Sequence, residues 1–208
     1  MRQPTFEVMK RIVLLLAVLL LGVTASAQEE KGIFTIQPKL GMNIANYIEG
    51  GNTDPRIGLA IGAEGEYRFS RLFSLSVGVI YSQQGDKEEG YLNNVYAKTT
   101  DKLDYLNIPL MFNLYVAKGL ALKLGVQPNF NISAKYEIEA NGMTIGGDYS
   151  DQGIDIKSFD LSLPLGLSYE FHNIVIDGRY NLGLTKIVEG YKTKHSVFQI
   201  TLGYKFRL

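Results

Sequence analysis

The chain has 208 residues, with 21 Lys+Arg against 21 Asp+Glu, 13 Tyr, 10 Phe, 22 Gly and neither Cys nor Trp. Zero formal net charge excludes the basic surface on which nucleic-acid binding depends. The lack of Cys excludes disulfides, thiolate-held zinc, iron–sulfur clusters, a thiol nucleophile and an acylated lipoprotein anchor.

Lys10 and Arg11 precede the apolar run Ile12 to Val23, which is followed by Ala25-Ser26-Ala27. A charged start, a short apolar stretch and a small-residue cleavage site predict a secretory signal peptide over residues 1–27. The run is short for a membrane helix, and no stop-transfer charges follow it. Met9 makes the more natural start, so residues 1–8 read as an over-extension. The exported domain is expected to span residues 28–208.

Eight period-2 segments then follow. They are Phe34 to Ile44, Ile57 to Phe69, Leu72 to Gln83, Tyr105 to Val116, Leu120 to Tyr136, Phe159 to Phe171, Ile174 to Leu184 and Val197 to Phe206. In each, large apolar residues hold one parity while Gly, Ser, Thr, Asn, Gln and charges hold the other. Successive strand residues point to opposite faces, so each segment reads as a strand with one apolar and one polar face. Each reaches or exceeds the roughly 9–11 residues that cross a bilayer at a tilt. Pro38, Pro109, Pro128 and Pro164 fall inside strands, where each lacks a ladder donor. A local gap or bulge is expected at Pro164.

The connections alternate in length. Short ones fall near Ser70, at residues 117–119 and at His172-Asn173; long polar ones fall at 45–56, 84–104, 137–157 and 185–196. A soluble barrel would place its apolar parity inside. Here the polar parity is rich in small residues that fit a narrow interior, and the apolar parity runs nearly the whole strand length. The expected fold is all-β: an eight-stranded antiparallel up-and-down transmembrane β-barrel with short periplasmic turns and long external loops. Tyr47, Tyr67, Phe69, Tyr81, Tyr105, Tyr115, Phe171 and Tyr204 stand near strand ends and are expected to form interfacial girdles.

The segment "YLNIPLMFNLY" resembles the Tyr-Leu-x-Ile-Pro-Leu strand of the PorT-like outer-membrane β-barrel family of Gram-negative bacteria. "LGLSYEF" with "IDGRYNLGLTKI", and the closing "FQITLGYKF", are similar to that family's Gly-x-x-x-Glu-Phe turn, its Arg-Tyr-Asn-x-Gly-Leu-Thr segment and its last strand. Arg207 and Leu208 after Phe206 depart from the terminal aromatic of many such barrels. The resemblance implies the fold and an outer-membrane location. One member is associated with type IX secretion, and carrying that role over would rest on the fold alone.

The polar parity carries Lys39, Glu64, Glu66, Arg68, Lys123, Asp160, Glu170, Asp177, Arg179 and Lys205. Mixed signs in a narrow barrel predict a mutually neutralising lumen network rather than an ion path. Asp160 and Glu170 are expected to find cations among Lys123, Arg179 and Lys205. An arrangement of His195, Ser196 and Glu189 resembles the sequence requirement of a lipid-modifying site, but nearness in sequence does not make a triad. Asp148, Asp151 and Asp155 lack calcium-loop spacing. No enzyme activity, cofactor, metal or nucleic acid is expected. A structural or interaction role in the envelope is, with lipopolysaccharide around a monomeric barrel and a protein partner at its external loops. A narrow solute channel, and a component of a secretion or uptake assembly, are the alternatives.

Overall fold

The computed structural model describes residues 32–48, 53–92, 95–154, 156–188 and 193–208. The expected signal peptide at 1–27 lies outside them. Among the described residues there are twelve strand segments where eight are expected. They are β1 (Ile33–Ile48), β2 (Asp54–Arg68), β3 (Phe73–Gln84), β4 (Asp86–Leu92), β5 (Val95–Asn107), β6 (Leu110–Ala117), β7 (Leu120–Ala140), β8 (Met143–Asp148), β9 (Phe159–Phe171), β10 (Ile174–Gly183), β11 (Lys194–Tyr204) and β12 (Phe206–Arg207).

Pairing is antiparallel throughout and the sheet closes on itself. β1 pairs with β2, β2 with β3, and β3 with both β5 and β6. Those two pair in turn with β7, then β7 with β9, β9 with β10 and β10 with β11. β11 returns to β1, with Met42 opposite Ile200. Closure leaves no free edge around the ring.

The ring is inside-out. Leu40, Leu59, Val77, Phe112, Leu124, Leu165, Ile176 and Leu202 face outward and are exposed, Leu202 by 56%. Their neighbours Lys39, Ser76, Asn113, Lys123, Asp177 and Thr201 face inward and are buried. Period-2 geometry produces both faces at once. The outer face needs an apolar surrounding, and the inner face needs internal partners.

At one end the connections are short: residues 69–72, Lys118-Gly119 and His172-Asn173. Gly119 and His172 both take positive φ there, at +75° and +57°. Aromatic residues ring this end. Phe73 and Phe112 lie 5.3 Å apart, and Tyr204 and Phe206 4.8 Å. Tyr67, Phe69, Phe171 and Tyr204 face outward as expected. Tyr105 and Tyr115 do not: both lie on the polar parity and are buried inside the ring.

At the other end the expected loops prove to be partly sheet. Residues 84–104 form β4 and the upper half of β5, joined in register from Lys87 opposite Thr100. Residues 137–157 contain the end of β7, β8 and a short 3-10 turn at Tyr149–Gln152. Asn141 and Gly142 both take positive φ, at 52° and 76°, and turn the β7–β8 hairpin. Asn-Gly is the strongest short hairpin signal, and residues 141–142 carry it in the sequence.

The four prolines expected inside strands all sit where a ladder is interrupted. Pro109 separates β5 from β6, and its carbonyl accepts from Gly78 N at 3.0 Å. Pro128 accepts from Ile108 N at 2.9 Å, where β7 passes from pairing β5 to pairing β6. Pro38 lies where β1 passes from β11 to β12. Between β7 and β9 the pairing runs to Leu124 opposite Leu165 and resumes, unshifted, at Gln127 opposite Ser162. Pro164 thus stands at a gap, not a bulge. Its other side stays in register opposite Asn181.

Candidate functional site

Within the ring, the inward parity builds a layered polar filling. Nearest the short turns, Lys205 Nζ lies 2.9 Å from Glu66 and 2.8 Å from Glu170. Ser74 Oγ donates to Glu66 at 2.6 Å, and the Tyr115 hydroxyl donates to the same carboxylate. The Arg68 guanidinium stacks 3.8 Å over the Tyr115 ring, an arrangement in which the aromatic face attracts a cation. A cavity of about 20 Å³ lies beside these groups, lined by Thr35, Glu66, Arg68, Glu170 and Lys205 among others. That is room for about one water.

The next layer is ionic. Arg179, 1% exposed, grips Asp177 through two nitrogens at 2.8 Å each. It also reaches Glu64 at 2.7 Å. Lys39 lies 2.9 Å from Glu64, and Lys123 lies 2.7 Å from Asp177. Four elements contribute: β1, β2, β7 and, with two residues two apart, β10. The spacing of Asp177 and Arg179 puts both on one face of β10, which allows the two-pronged grip.

Above this, amides replace charges. Gln199 donates to Asn43 at 2.9 Å across the β1–β11 seam, and Asn43 donates to Ser82 at 2.9 Å. Gln127 donates to Asn129 at 2.8 Å, and Asn129 donates to Asp160 at 2.5 Å. His195 Nε2 and the Tyr105 hydroxyl lie 2.9 Å apart. Leu103, Tyr105 and Ile187 then form an apolar cap, with Tyr47, Ala134, Tyr149, Ile156 and Val188 packed on it. The chain between β10 and β11 bends in to supply Ile187, held by Lys157 N donating to Ile187 O at 2.8 Å.

Of the ten lumen residues expected from sequence, nine are buried and Glu170 is partly so. Glu170 meets Lys205, one of its expected partners. Asp160 meets none of Lys123, Arg179 or Lys205. Its neighbours are Asn129 and, at 3.8 Å, His195. Lys123 and Arg179 are occupied by Asp177, deeper in the ring. Register across β7, β9 and β10 decides that, and no local sequence signal encodes it.

His195 and Ser196 are adjacent on β11, so they point to opposite faces. His195 is buried among the lumen groups, whereas Ser196 meets the outer Tyr180 at 2.8 Å. The two cannot act on one another, and Glu189 lies outside the described residues. Asp148 and Asp151 are exposed, and Asp155 lies outside the described residues. Among the described residues, no three of His, Cys, Asp and Glu come together to hold a metal.

Beyond the apolar cap lies a second feature that the sequence reading missed. A half-open cavity of about 320 Å³ is lined by Tyr47, Thr53, Asp86, Glu88, Thr99, Asp101, Tyr149, Ile154, Ile156, Ile187, Val188 and Thr193. Asp86 and Asp101 face one another across its wall. Burial, then the Asp101 charge, pushes the Asp86 carboxyl up to about 7. Burial raises Asp101 too, opposed by hydrogen bonds from Tyr149, Asp86 and Tyr47.

A closed antiparallel ring, apolar outside and filled with ion pairs inside, defines a membrane β-barrel of the outer-membrane type. The family comparison agrees: residues 26–189 match the outer membrane protein beta-barrel domain, and the chain belongs to that family. Among solved structures, the chain is similar to Ail, the attachment invasion locus protein of Yersinia pestis, at TM-score 0.51 and 15% identity, covering 85% of this chain and 100% of that one. Neisserial surface protein A matches at TM-score 0.46 and 15% identity, over 83% of this chain and 97% of that one. No curated protein matches the chain. The family points to the outer membrane.

Proposed function

We propose that this chain is an exported, non-enzymatic outer-membrane barrel of PorT-like type, monomeric, with a closed lumen, and that it acts through the structure it projects from the cell. In this reading the twelve segments make eight staves. β5 and β6 form one stave interrupted at Ile108-Pro109, β11 and β12 form one interrupted at Lys205, and β4 and β8 are additions beyond the lipid-facing band. Eight staves leave an interior only wide enough for side chains. The short-turn end is periplasmic and the hairpin end external, following the usual asymmetry of such barrels. The outer apolar face meets lipid, with lipopolysaccharide in the external leaflet.

The observation that carries the reading is the Lys39–Glu64–Lys123–Asp177–Arg179 cluster, buried inside the ring with ion pairs of 2.7–3.5 Å between residues of four strands. Charges locked to one another hold no mobile ion. The test is single-channel recording of refolded protein in planar bilayers. No stable conductance steps are expected. Steady, large steps would overturn the closed lumen and favour the solute channel. A partner protein is expected to co-purify through the β4–β5 and β7–β8 hairpins and to be lost when those are trimmed.

A further inference from the structure

We infer that the cavity at the hairpin end is a binding site for a small organic cation, an ammonium group carried on an apolar body. This deepens the proposed role of the projecting end, and its test does not depend on whether the lumen conducts.

The cavity has the two surfaces such a ligand needs. Much of its lining is apolar: Ile187 and Val188 from the inbent β10–β11 connection, with Ile154, Ile156 and the rings of Tyr47 and Tyr149. The lining also carries acidic groups, Asp86 and Glu88 on β4 and Asp101 on β5. About 320 Å³ falls at the lower end of the range for small-molecule sites, which are concave, mostly apolar and carry a few convergent polar groups. The floor is sealed from the lumen by the Leu103–Tyr105–Ile187 cap, so the cavity is a dead end rather than the mouth of a pore.

Charge selects the ligand. The described lining holds three carboxylates and no Lys or Arg. Arg56 stands behind the wall and donates to the Gln84 carbonyl, which fixes it there. The Thr53 hydroxyl donates to Asn46 at 2.6 Å, and the Tyr149 hydroxyl donates to Asp101. Two carboxyls placed together inside a wall repel when both are ionised, and a proton or a cation between them relieves this. A metal ion fits poorly, because the described residues offer no cluster of three ligands. An ammonium needs only the pair. Its apolar body then covers the isoleucines, and the Tyr47 and Tyr149 faces add cation–π attraction.

The groups facing Asp86 are Asp101, Glu88, Thr53, Tyr47 and Tyr149, with Arg56 behind. Since its carboxyl is pushed up to about 7, it carries its charge at pH 8 and largely loses it at pH 6. Cation binding should therefore strengthen as pH rises through 7.

The experiment is calorimetric titration of the full barrel in detergent with phenethylamine, and with 2-phenylethanol as the neutral match. The amine should bind at least about tenfold tighter than the alcohol at pH 8, and that advantage should shrink at pH 6. Asp101→Asn and Asp86→Asn should each weaken amine binding about tenfold, the latter also removing the pH dependence. Thr99→Lys, which adds a competing ammonium to the wall, should abolish it. Heat-modifiable gel mobility confirms that each variant is folded. Equal binding of amine and alcohol, unchanged amine affinity in folded Asp101→Asn, or displacement of the amine by stoichiometric calcium would each overturn the site.

Discussion

Asp177 and Asp86 are both buried aspartates in the same closed sheet, and their surroundings differ in kind. Asp177 lies within 3.5 Å of three cations, Arg179, Lys123 and Lys39. Asp86 has a second carboxyl, Asp101, for its neighbour. A charge taken out of water needs either a partner or a proton. The lumen supplies partners from three different strands and becomes a fixed filling. The described lining of the cavity carries no cation, and only Arg56, behind the wall, acts on Asp101. The comparison separates the part of the molecule that holds the ring together from the part that can respond to what arrives from outside.

The largest test of that contrast is Arg179→Met. It leaves Glu64 and Asp177 buried with only Lys39 and Lys123, and removing one member of a buried ion network typically costs about 3–5 kcal/mol. A lower urea midpoint for the gel-mobility transition is expected. A neutral change at Arg179 would break the claim that the lumen network is structural.

A smaller and more local effect is expected from Gly142→Val in the β7–β8 turn. Gly142 has φ +76°, a region that costs an L residue about 1–2 kcal/mol, more for a β-branched one. Faster amide hydrogen exchange should appear in β8 and the end of β7 while the ring stays protected. Loss of protection around β1 and β11 would instead show that the projection and the ring unfold as one unit.

Next comes the pH response of the hairpin end itself. Asp86 has a folded pKa above its unfolded one, so its contribution to stability is fully present below about pH 4 and is lost as pH rises through about 7. Exchange in β4 and upper β5 should therefore quicken between pH 5 and pH 8, after correction for intrinsic rates. Asp86→Asn should flatten that trend. The smallest effect is expected at the other end. His172, at φ +57°, is a non-glycine residue in left-handed backbone, and His172→Gly trades relief of that strain against added chain entropy. A net change within about 0.5 kcal/mol is expected.

Much of the ring was legible because a bilayer and a polar lumen impose opposite demands on alternate residues. Leu165 and Leu167 against Ser162 and Ser168 could be assigned to faces from spacing alone. Beyond the apolar band, both faces meet water or cavity, alternation fades, and β4, β8 and upper β5 read as loop. Only Asn141-Gly142 carried a local sign of the hairpin. Tyr105 and Tyr115 are inside, not in a girdle, because parity rather than residue type decides the face. Their neighbours Leu106 and Leu114 already held the outer face. The Asp86–Asp101 pairing depends on a turn at Gly85, φ +122°, and on strand register, neither of which a single sequence displays.

The β1–β11 seam has a consequence for how the molecule is made. Met42 finds Ile200 and Asn43 finds Gln199 only after more than 150 residues of chain have been placed between them. Until then, the first and last strands each show the membrane an open row of amide and carbonyl groups, which lipid cannot satisfy. No partial ring is a resting state. The chain must be kept unassembled until its final strand is available, and the barrel then shuts in a single late event, slow in the way that sequence-distant pairings are slow.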